Sequence, residues 1–399
     1  MSKVMTEVQS ATDSSLAQPI KEDTPAFLPP MEKAIVSNPY QPFLDKFFPD
    51  GSFTKEEMAG LCTNLIEFKL QFQNYCEPQA PQESLYQNAI SNDTITIDSW
   101  RDQWLWQARS NEEKYKCSEN TVMSEHNKFK NKPGIIAGSG PSLKKNALEL
   151  KNRGDIPLVS CCHNYGFFHD NDIHPDYYVQ LDAGHIVIDE LAQGGKKDAQ
   201  YYWDSTKDST LIASVVCNPQ FIEKWQGKIL WFNTIIPDVD LFAELKKACP
   251  NNVYFQTGGN ALGTCYYMSR AVLGCTPSVF IGADFSFSYN QKFHPFESHY
   301  DQKFQGVMPK TDVYGNRVAT WPSYANFADW FLYQSMGGKG NNPTFFINCT
   351  EGGILGATPN GNVNTIKQMT LKAFLYAYNM SDSLPGMLPK EGELPQLLF

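Results

Sequence analysis

The stretch Pro133-Gly134-Ile135-Ile136-Ala137-Gly138-Ser139-Gly140-Pro141-Ser142-Leu143 decides the fold. A short apolar run, Ile135 to Ala137, ends in two glycines one residue apart. Pro141 follows, then a helical pattern through Leu143, Leu148 and Leu150 to Gly154. That order predicts a strand, a tight glycine turn and a helix. Glycine reaches backbone angles closed to other residues, and proline suits a first helical position because its missing N–H is not needed there. A turn that feeds N–H groups into a helix start is an anion site. Many βα units have glycine-rich turns, so a lone Gly-x-Gly takes its meaning from what lies beside it.

Beyond this turn the chain alternates regularly. Strand patterns fall at 134–137, 156–161, 177–181, 210–217, 228–232, 253–256, 278–281 and 345–347. Helical patterns fall at 141–152, 219–225, 238–248, 260–273, 321–335 and 364–378. Short apolar strands separated by helices predict an α/β fold, a Rossmann-like doubly wound sheet, mainly parallel and covered on both faces. The stretch 286–320 is aromatic, histidine-bearing and without period, a loop length that is usually functional. Upstream, residues 1–32 read as a flexible leader. A helix is expected from Ser52 or Thr54 to about Cys76, broken by Pro78 and Pro81, and a second from near Asp98. The second carries Trp100, Trp104 and Trp106 as a packing face. The expected organisation is a leader (1–32), a helical N-terminal module (33–130), a Rossmann-like domain (131–358), and a C-terminal helix with tail (359–399).

Composition narrows the function. With 42% hydrophobic and 13% aromatic residues, the 399-residue chain can bury a substantial core. A net charge of −10 and a pI near 5.3 exclude broad nucleic-acid binding by charge. No stretch approaches the roughly 20 apolar residues of a membrane span, and the N-terminus lacks an apolar signal core. The ten cysteines form no Cys-x-x-Cys pair, and Cys161, Cys162, Cys217, Cys265 and Cys275 sit in apolar segments. The expectation is a reduced, cytoplasmic protein with no zinc site.

Ligands of such sheets bind outside the carboxyl ends of the strands. Those ends deliver Gly138-Ser139-Gly140, Cys162-His163-Asn164, Leu181-Asp182-Ala183-Gly184, Gly258-Gly259-Asn260, Gly282-Ala283-Asp284 and Asn348-Cys349-Thr350-Glu351-Gly352-Gly353. Gly138, Ser139, Gly140, Pro141, Ser142, Asn164, Gly258, Gly259, Asn260 and Glu351 are the expected nucleotide-binding residues. Asp182 and Asp284 are the candidate catalytic carboxylates, or ligands of one magnesium ion against a diphosphate. The plainer alternative is that each caps the segment after it. His294, and less so His299, lies on the long loop within reach of the same edge and suits acid–base work. His163 is similar, with a buried structural histidine as its alternative. A dehydrogenase is disfavoured because Leu143 replaces the third glycine of Gly-x-Gly-x-x-Gly and no acid ends the second strand. A methyltransferase weakens on the same missing acid, and no Walker sequence occurs.

Together these segments resemble a known family. They are Asn131-Lys132-Pro133 with Ile135 to Leu143, Ile173-His174-Pro175-Asp176-Tyr177 leading to Leu181-Asp182, and Gly258-Gly259-Asn260 with Ile281-Gly282-Ala283-Asp284. Asn348-Cys349-Thr350-Glu351-Gly352-Gly353 completes the set. The family is that of the 6-hydroxymethylpterin diphosphokinase MptE-like domain, shared with motility accessory factor (Maf) flagellin glycosyltransferases. The similarity spans about residues 125–355, and Ala283 stands where the family usually has Gln. The resemblance implies a Rossmann-like domain and a nucleotide-dependent transferase with no tightly bound cofactor. The donor would be a nucleotide-sugar or ATP, with magnesium a candidate ion, and the acceptor a small molecule or a protein hydroxyl. The helical N-terminal module and C-terminal helix favour the Maf-like activity, transfer of a nonulosonic acid, over the compact pterin diphosphokinase. A non-catalytic binding or structural protein on the same sheet is the third reading.

Overall fold

Short apolar runs bounded by glycine and proline build the centre of the molecule. The computed structural model describes residues 82–236, 238–251, 253–255, 258–287, 307–335, 346–358 and 361–381. In chain order the strands are β1 (Gly134–Ala137), β2 (Leu158–Cys161), β3 (Tyr177–Gln180), β4 (Thr210–Ser214), β5 (Lys228–Thr234), β6 (Tyr254–Phe255) and β7 (Ser278–Ile281). They continue as β8 (Met308–Thr311), β9 (Arg317–Thr320), β10 (Phe346–Asn348), β11 (Ala357–Thr358), β12 (Gly361–Asn362) and β13 (Ile366–Gln368). Nine form one parallel sheet in the order β13-β10-β7-β1-β2-β3-β4-β5-β6. β1, β2, β3 and β7 are buried at every residue, as strands with helices on both faces must be.

Alternation along each strand sorts the side chains. Ile136, Val159, Val179, Phe280 and Phe346 point to one face, and Ile135, Leu158, Val279 and Ile347 to the other. The first face is covered by helix Ala261–Tyr267, its π-helical continuation Met268–Val272, and helix Pro322–Ser335. On the second face, the segment 143–152 and helix Leu371–Ser381 cover the β1 side. The long helix Gln82–Tyr115 covers the β3–β5 side with helices Ala199–Ser205, Pro219–Lys224 and Val239–Ala248. The chain thus steps outward from β1 to β6, crosses the sheet through 261–272, and resumes at β7 on the other side of β1. That reversal between β1 and β7 is the topological switch point. Among the described residues, no helix is long and apolar enough to cross a membrane.

Two segments expected to stand apart belong to the sheet's packing. Where one helix was expected over 364–378, β13 pairs with β10 at Ile366↔Phe346, and only then does helix Leu371–Ser381 begin. The second N-terminal helix starts at Gln82, well before Asp98, and its Ile97, Leu105 and Ala108 share a core with Leu211, Ala213 and Trp231. The described residues, Gln82 to Ser381, all fall within one compact unit. Trp104 packs against that core, whereas Trp106 is 60% exposed. Part of the stretch expected to be loop, 307–320, is the β8–β9 hairpin. Its turn is held by Asp312 Oδ1, which accepts the N–H groups of Tyr314 and Asn316 around Gly315. The leader and the helix expected over 52–76 lie outside the described residues.

Helix Leu371–Ser381 supplies a direct test of this packing. Leu375→Ala should cost about 2–5 kcal/mol, read as a lower urea midpoint at unchanged slope. Tyr376→Ala, on the side that is 68% exposed, should stay within about 0.5 kcal/mol. Equal losses at the two positions would contradict the placement.

Candidate functional site

At the end of β1, Gly138 has no room for a side chain. A Cβ there would lie 2.5 Å from the Gly282 carbonyl oxygen and 3.3 Å from Leu262 Cδ1. Its N–H donates to the Ile281 carbonyl at 2.9 Å, and the Gly140 N–H donates to that of Gly282 at 2.8 Å. Gly282 itself turns with φ +58°. Glycines from two strands therefore let the β1 and β7 turns interlock at the switch point. Asn164, beyond β2, joins them through Nδ2, which donates to the Gly138 carbonyl at 3.0 Å and to Ser160 Oγ at 3.1 Å.

Asp284 fills the crevice that this interlock encloses. The Ser142 N–H donates to its Oδ1 at 3.2 Å and the Ser142 hydroxyl to its Oδ2 at 2.7 Å. Gly140 leaves space for that carboxylate, because a Cβ would sit 2.0 Å from Oδ2. The sequence reading of this turn as a phosphate cradle is corrected to this extent: the anion held by the Ser142 N–H is the chain's own side chain. The helix that follows is one α-turn, Leu143–Asn146, passing into a 3-10 segment, so its dipole adds little. Asp284 is 5% exposed. Burial pushes its carboxyl up to about 7, against the opposing pull of the Ser142 hydrogen bonds.

The second glycine turn is also turned inward. Gly258 and Gly259 have φ +61° and +80°. Asn260 Oδ1 accepts the Gly263 N–H at 2.8 Å, and its Nδ2 donates to the Gly258 carbonyl at 3.2 Å. Trp330 and Phe327 lie over the turn, 2.7 and 3.2 Å from where Cβ atoms on Gly258 and Gly259 would be. Leu262, two residues after Asn260, is the side chain that meets Gly138, so the two glycine turns are neighbours. Glu351 accepts from Asn146 Nδ2 at 3.0 Å and from the Leu371 N–H at 3.1 Å, which ties the C-terminal helix to the segment after the first turn. Ser139, Gly140 and Pro141 stay half-exposed, and Gly259 and Asp182 are exposed. Solvent, and any ligand, meets the edge there.

Asp182 leaves β3 on a braced loop. Its Oδ1 accepts the Gly184 N–H at 2.7 Å, and Gln180 Oε1 accepts the N–H groups of Leu181 and Asp182 at 3.0 Å each. From the long helix, Gln103 and Gln107 donate to the Ala183 carbonyl at 3.0 and 2.9 Å. Asn111 donates to the carbonyls of Val215 and Cys217 at 3.0 and 2.9 Å. Spaced four apart, these amides lie along one helix face. The protein crowded around Asp182 raises its carboxyl above the usual range, and the Glu190 charge adds to this, although the side chain still touches solvent.

Glu190 is the residue that sequence reasoning missed. It ends the short helix Val187–Glu190 and places Oε2 3.9 Å from His163 Nδ1, an ion pair when the histidine is protonated. Its charge also reaches Tyr324 on helix Pro322–Ser335, whose phenol is held above its usual range first by burial and then by Glu190. Glu190 thus pairs with His163 above β2, and its charge bears on the carboxyl of Asp182 and the phenol of Tyr324. No spacing in the sequence links Glu190 or Tyr324 to the glycine turns, so no local signal pointed to them.

The shared magnesium site expected of Asp182 and Asp284 does not form. Their strands stand three places apart in the sheet, about 14 Å at roughly 4.8 Å per spacing, and Asp284 is committed to Ser142. Neither belongs to a group of three metal-capable side chains among the described residues. His294 and His299 lie outside the described residues.

Comparisons with known proteins agree with this architecture. A family model described as 6-hydroxymethylpterin diphosphokinase MptE-like matches residues 111–290. The match takes in β1 to β7, both glycine turns, His163, Asp182, Glu190 and Asp284, and leaves out Tyr324 and the Asn348–Gly353 turn. Among solved structures, the Maf glycosyltransferase from Magnetospirillum magneticum AMB-1 is similar, with a TM-score of 0.50 at 16% sequence identity. The similarity covers 76% of this chain and 45% of that one, so this chain spans under half of that protein's length. No curated protein sequence matches. The resemblance carried by the motifs is therefore found again in the family model and in the fold.

The raised Asp284 carboxyl gives stability a definite pH dependence. An unfolded aspartate titrates near 3.9, so between about 4 and about 7 the native state holds the proton more tightly. This group's contribution is fully present below pH 4, is lost as pH rises through 7, and is level above that. The difference in Tm between wild type and Asp284→Asn should follow that course. A difference that instead grows in favour of wild type across pH 4–7 would overturn the assignment.

Proposed function

We propose that this chain is a nucleotide-dependent glycosyltransferase that moves a sugar from a nucleotide-sugar to an acceptor hydroxyl. The sugar class implied by the family resemblance is a nonulosonic acid. The observation that carries the reading is the Glu190–His163 pair, set beside two interlocked glycine turns at the carboxyl edge of a doubly wound sheet. The nucleotide would lie along the solvent-reached rim at Ser139, Gly140 and Gly259. In this reading the buried His163, with Nδ1 toward Glu190, takes the proton of the acceptor hydroxyl. Glu190 stabilises the imidazolium that results. The acceptor oxygen bonds to the anomeric carbon as that carbon's bond to the donor phosphate oxygen breaks, and the nucleotide departs. Tyr324, whose phenol keeps its proton, donates to an oxygen of the departing phosphate, and Asp182 accepts from a substrate hydroxyl. His294 keeps its nomination as a second base from the segment outside the described residues.

A thermal-shift panel of CMP, CDP, ATP and GTP tests the nucleotide reading, with a shift expected for the cytidine nucleotides. A shift only with ATP, magnesium and a pterin alcohol would favour diphosphate transfer, the activity in the family description. No shift with any of them would leave a binding or structural protein. His163→Gln should lower turnover of a CMP-activated nonulosonic acid by about 10²–10⁴-fold while keeping the CMP shift.

A further inference from the structure

Two helices end at the β6 edge of the sheet, and their C-termini meet. Gln82–Tyr115 closes with Lys116 at φ +53°, and Val239–Ala248 is followed by Cys249 at its cap. The meeting brings together Glu112, Cys117 and Cys249, whose carboxylate oxygen and two sulfurs all lie within 4.8 Å of one another. No other group of three metal-capable side chains occurs among the described residues. The Cys249 thiol donates to Glu112 Oε2 at 3.3 Å. Both cysteines are fully buried, while Glu112 is half-buried and offers a way in from solvent.

The surroundings hold these groups in place. The Ser118 hydroxyl donates to Glu112 Oε1 at 2.6 Å and the Ser118 N–H to Oε2 at 3.0 Å. Asn251 Nδ2 donates to the Cys117 carbonyl at 3.0 Å. Hydrogen bonds of this kind orient a ligating carboxylate. A tetrahedral ion with bonds of about 2.3 Å to sulfur and about 2.0 Å to oxygen sets ligand atoms roughly 3.3–3.8 Å apart, a spacing that the Glu112–Cys249 contact already has. Two sulfurs with one carboxylate suit a borderline-soft ion over magnesium or calcium. The negative ends of two helix dipoles favour a cation at the same place.

We propose that Glu112, Cys117 and Cys249 form a zinc(II) site, with water as fourth ligand, that fastens the end of the long helix to the β6 edge. Binding of the hydrated ion forms two zinc–sulfur bonds and one zinc–oxygen bond to Glu112 as bound waters leave, one water stays, and the two thiol protons pass to solvent without transfer of electrons. β6 stands three strands from β3, so the site is separate from the Glu190–His163 pair and independent of the transferase reading.

The test uses the full chain, purified under reducing conditions and titrated with zinc or cobalt(II). One equivalent of zinc per chain is expected, together with a thiolate-to-cobalt charge-transfer band and the visible bands of a tetrahedral site. Zinc should raise Tm. Ser118→Ala should weaken zinc binding about 10–100-fold. Cys249→Ser should lose the thiolate band, and Cys265→Ser, at a buried cysteine elsewhere, should retain it. The proposal falls if reduced wild type gives no thiolate–cobalt band, or if the band persists in folded Cys249→Ser. It also falls if Cys117 and Cys249 are found as a disulfide and the reduced chain still takes up no zinc.

Discussion

The hydrogen bonds between Asp284 and Ser142 close the crevice between β1 and β7, and the carboxyl edge is arranged around that closure. They require Gly140, whose Cβ would strike the carboxylate, and Gly353, whose Cβ would lie 2.4 Å from Asp284 Cα. The Asp284 carbonyl accepts the Ile354 N–H at 2.8 Å, and the Ala283 N–H donates to Thr350 Oγ1 at 3.1 Å. One buried residue is thus gripped by the turns after β1 and β10, and three adjacent strands are locked together at their ends. A carboxylate buried this deeply is costly unless it is fully hydrogen-bonded or protonated. Asp284 answers in both ways, through Ser142 and through its raised affinity for a proton.

A crevice sealed by the protein's own acid shifts the place where chemistry can occur. In a doubly wound sheet the ligand is expected at the switch point itself. Here that point is packed, and the titratable residues that keep contact with solvent stand beside it, above β2 and β3. The amide row Gln103, Gln107 and Asn111 braces the neighbouring loops by donating to the carbonyls of Ala183, Val215 and Cys217. The long helix therefore works as a wall of the candidate site and a cover for the sheet.

The central strands were legible because each is a four-residue apolar run between turn-forming residues, and β1 and β7 have the bounds read from the sequence. β13 was hidden because Ile366-Lys367-Gln368 offers one apolar residue and runs into a helical pattern. β8, Met308-Pro309-Lys310-Thr311, alternates half-buried and exposed positions and shows no apolar run. The glycine turns were legible as turns, but what they hold was not. Ser142 and Asp284 are 142 positions apart and Glu112 and Cys249 are 137 apart, so each pairing is a product of topology. Glu190 sits in a helix of one turn, which leaves no periodic signal.

The stretch that matches the family model and the parts outside it divide the work. His163, Asp182, Glu190 and Asp284 lie within 111–290, on or just beyond strands of the common sheet. Gln103, Gln107 and Tyr324, with the turn that grips Asp284 from β10, come from outside it. In such folds the strand ends fix reacting groups, while flanking segments set which molecule reaches them. Tyr324 shows the principle in one side chain. Its helix also carries Phe327 and Trp330 over the second glycine turn, so the element that bears Tyr324 also packs that turn. A change in that helix would therefore disturb Tyr324 and the second glycine turn together, because one rigid element carries both.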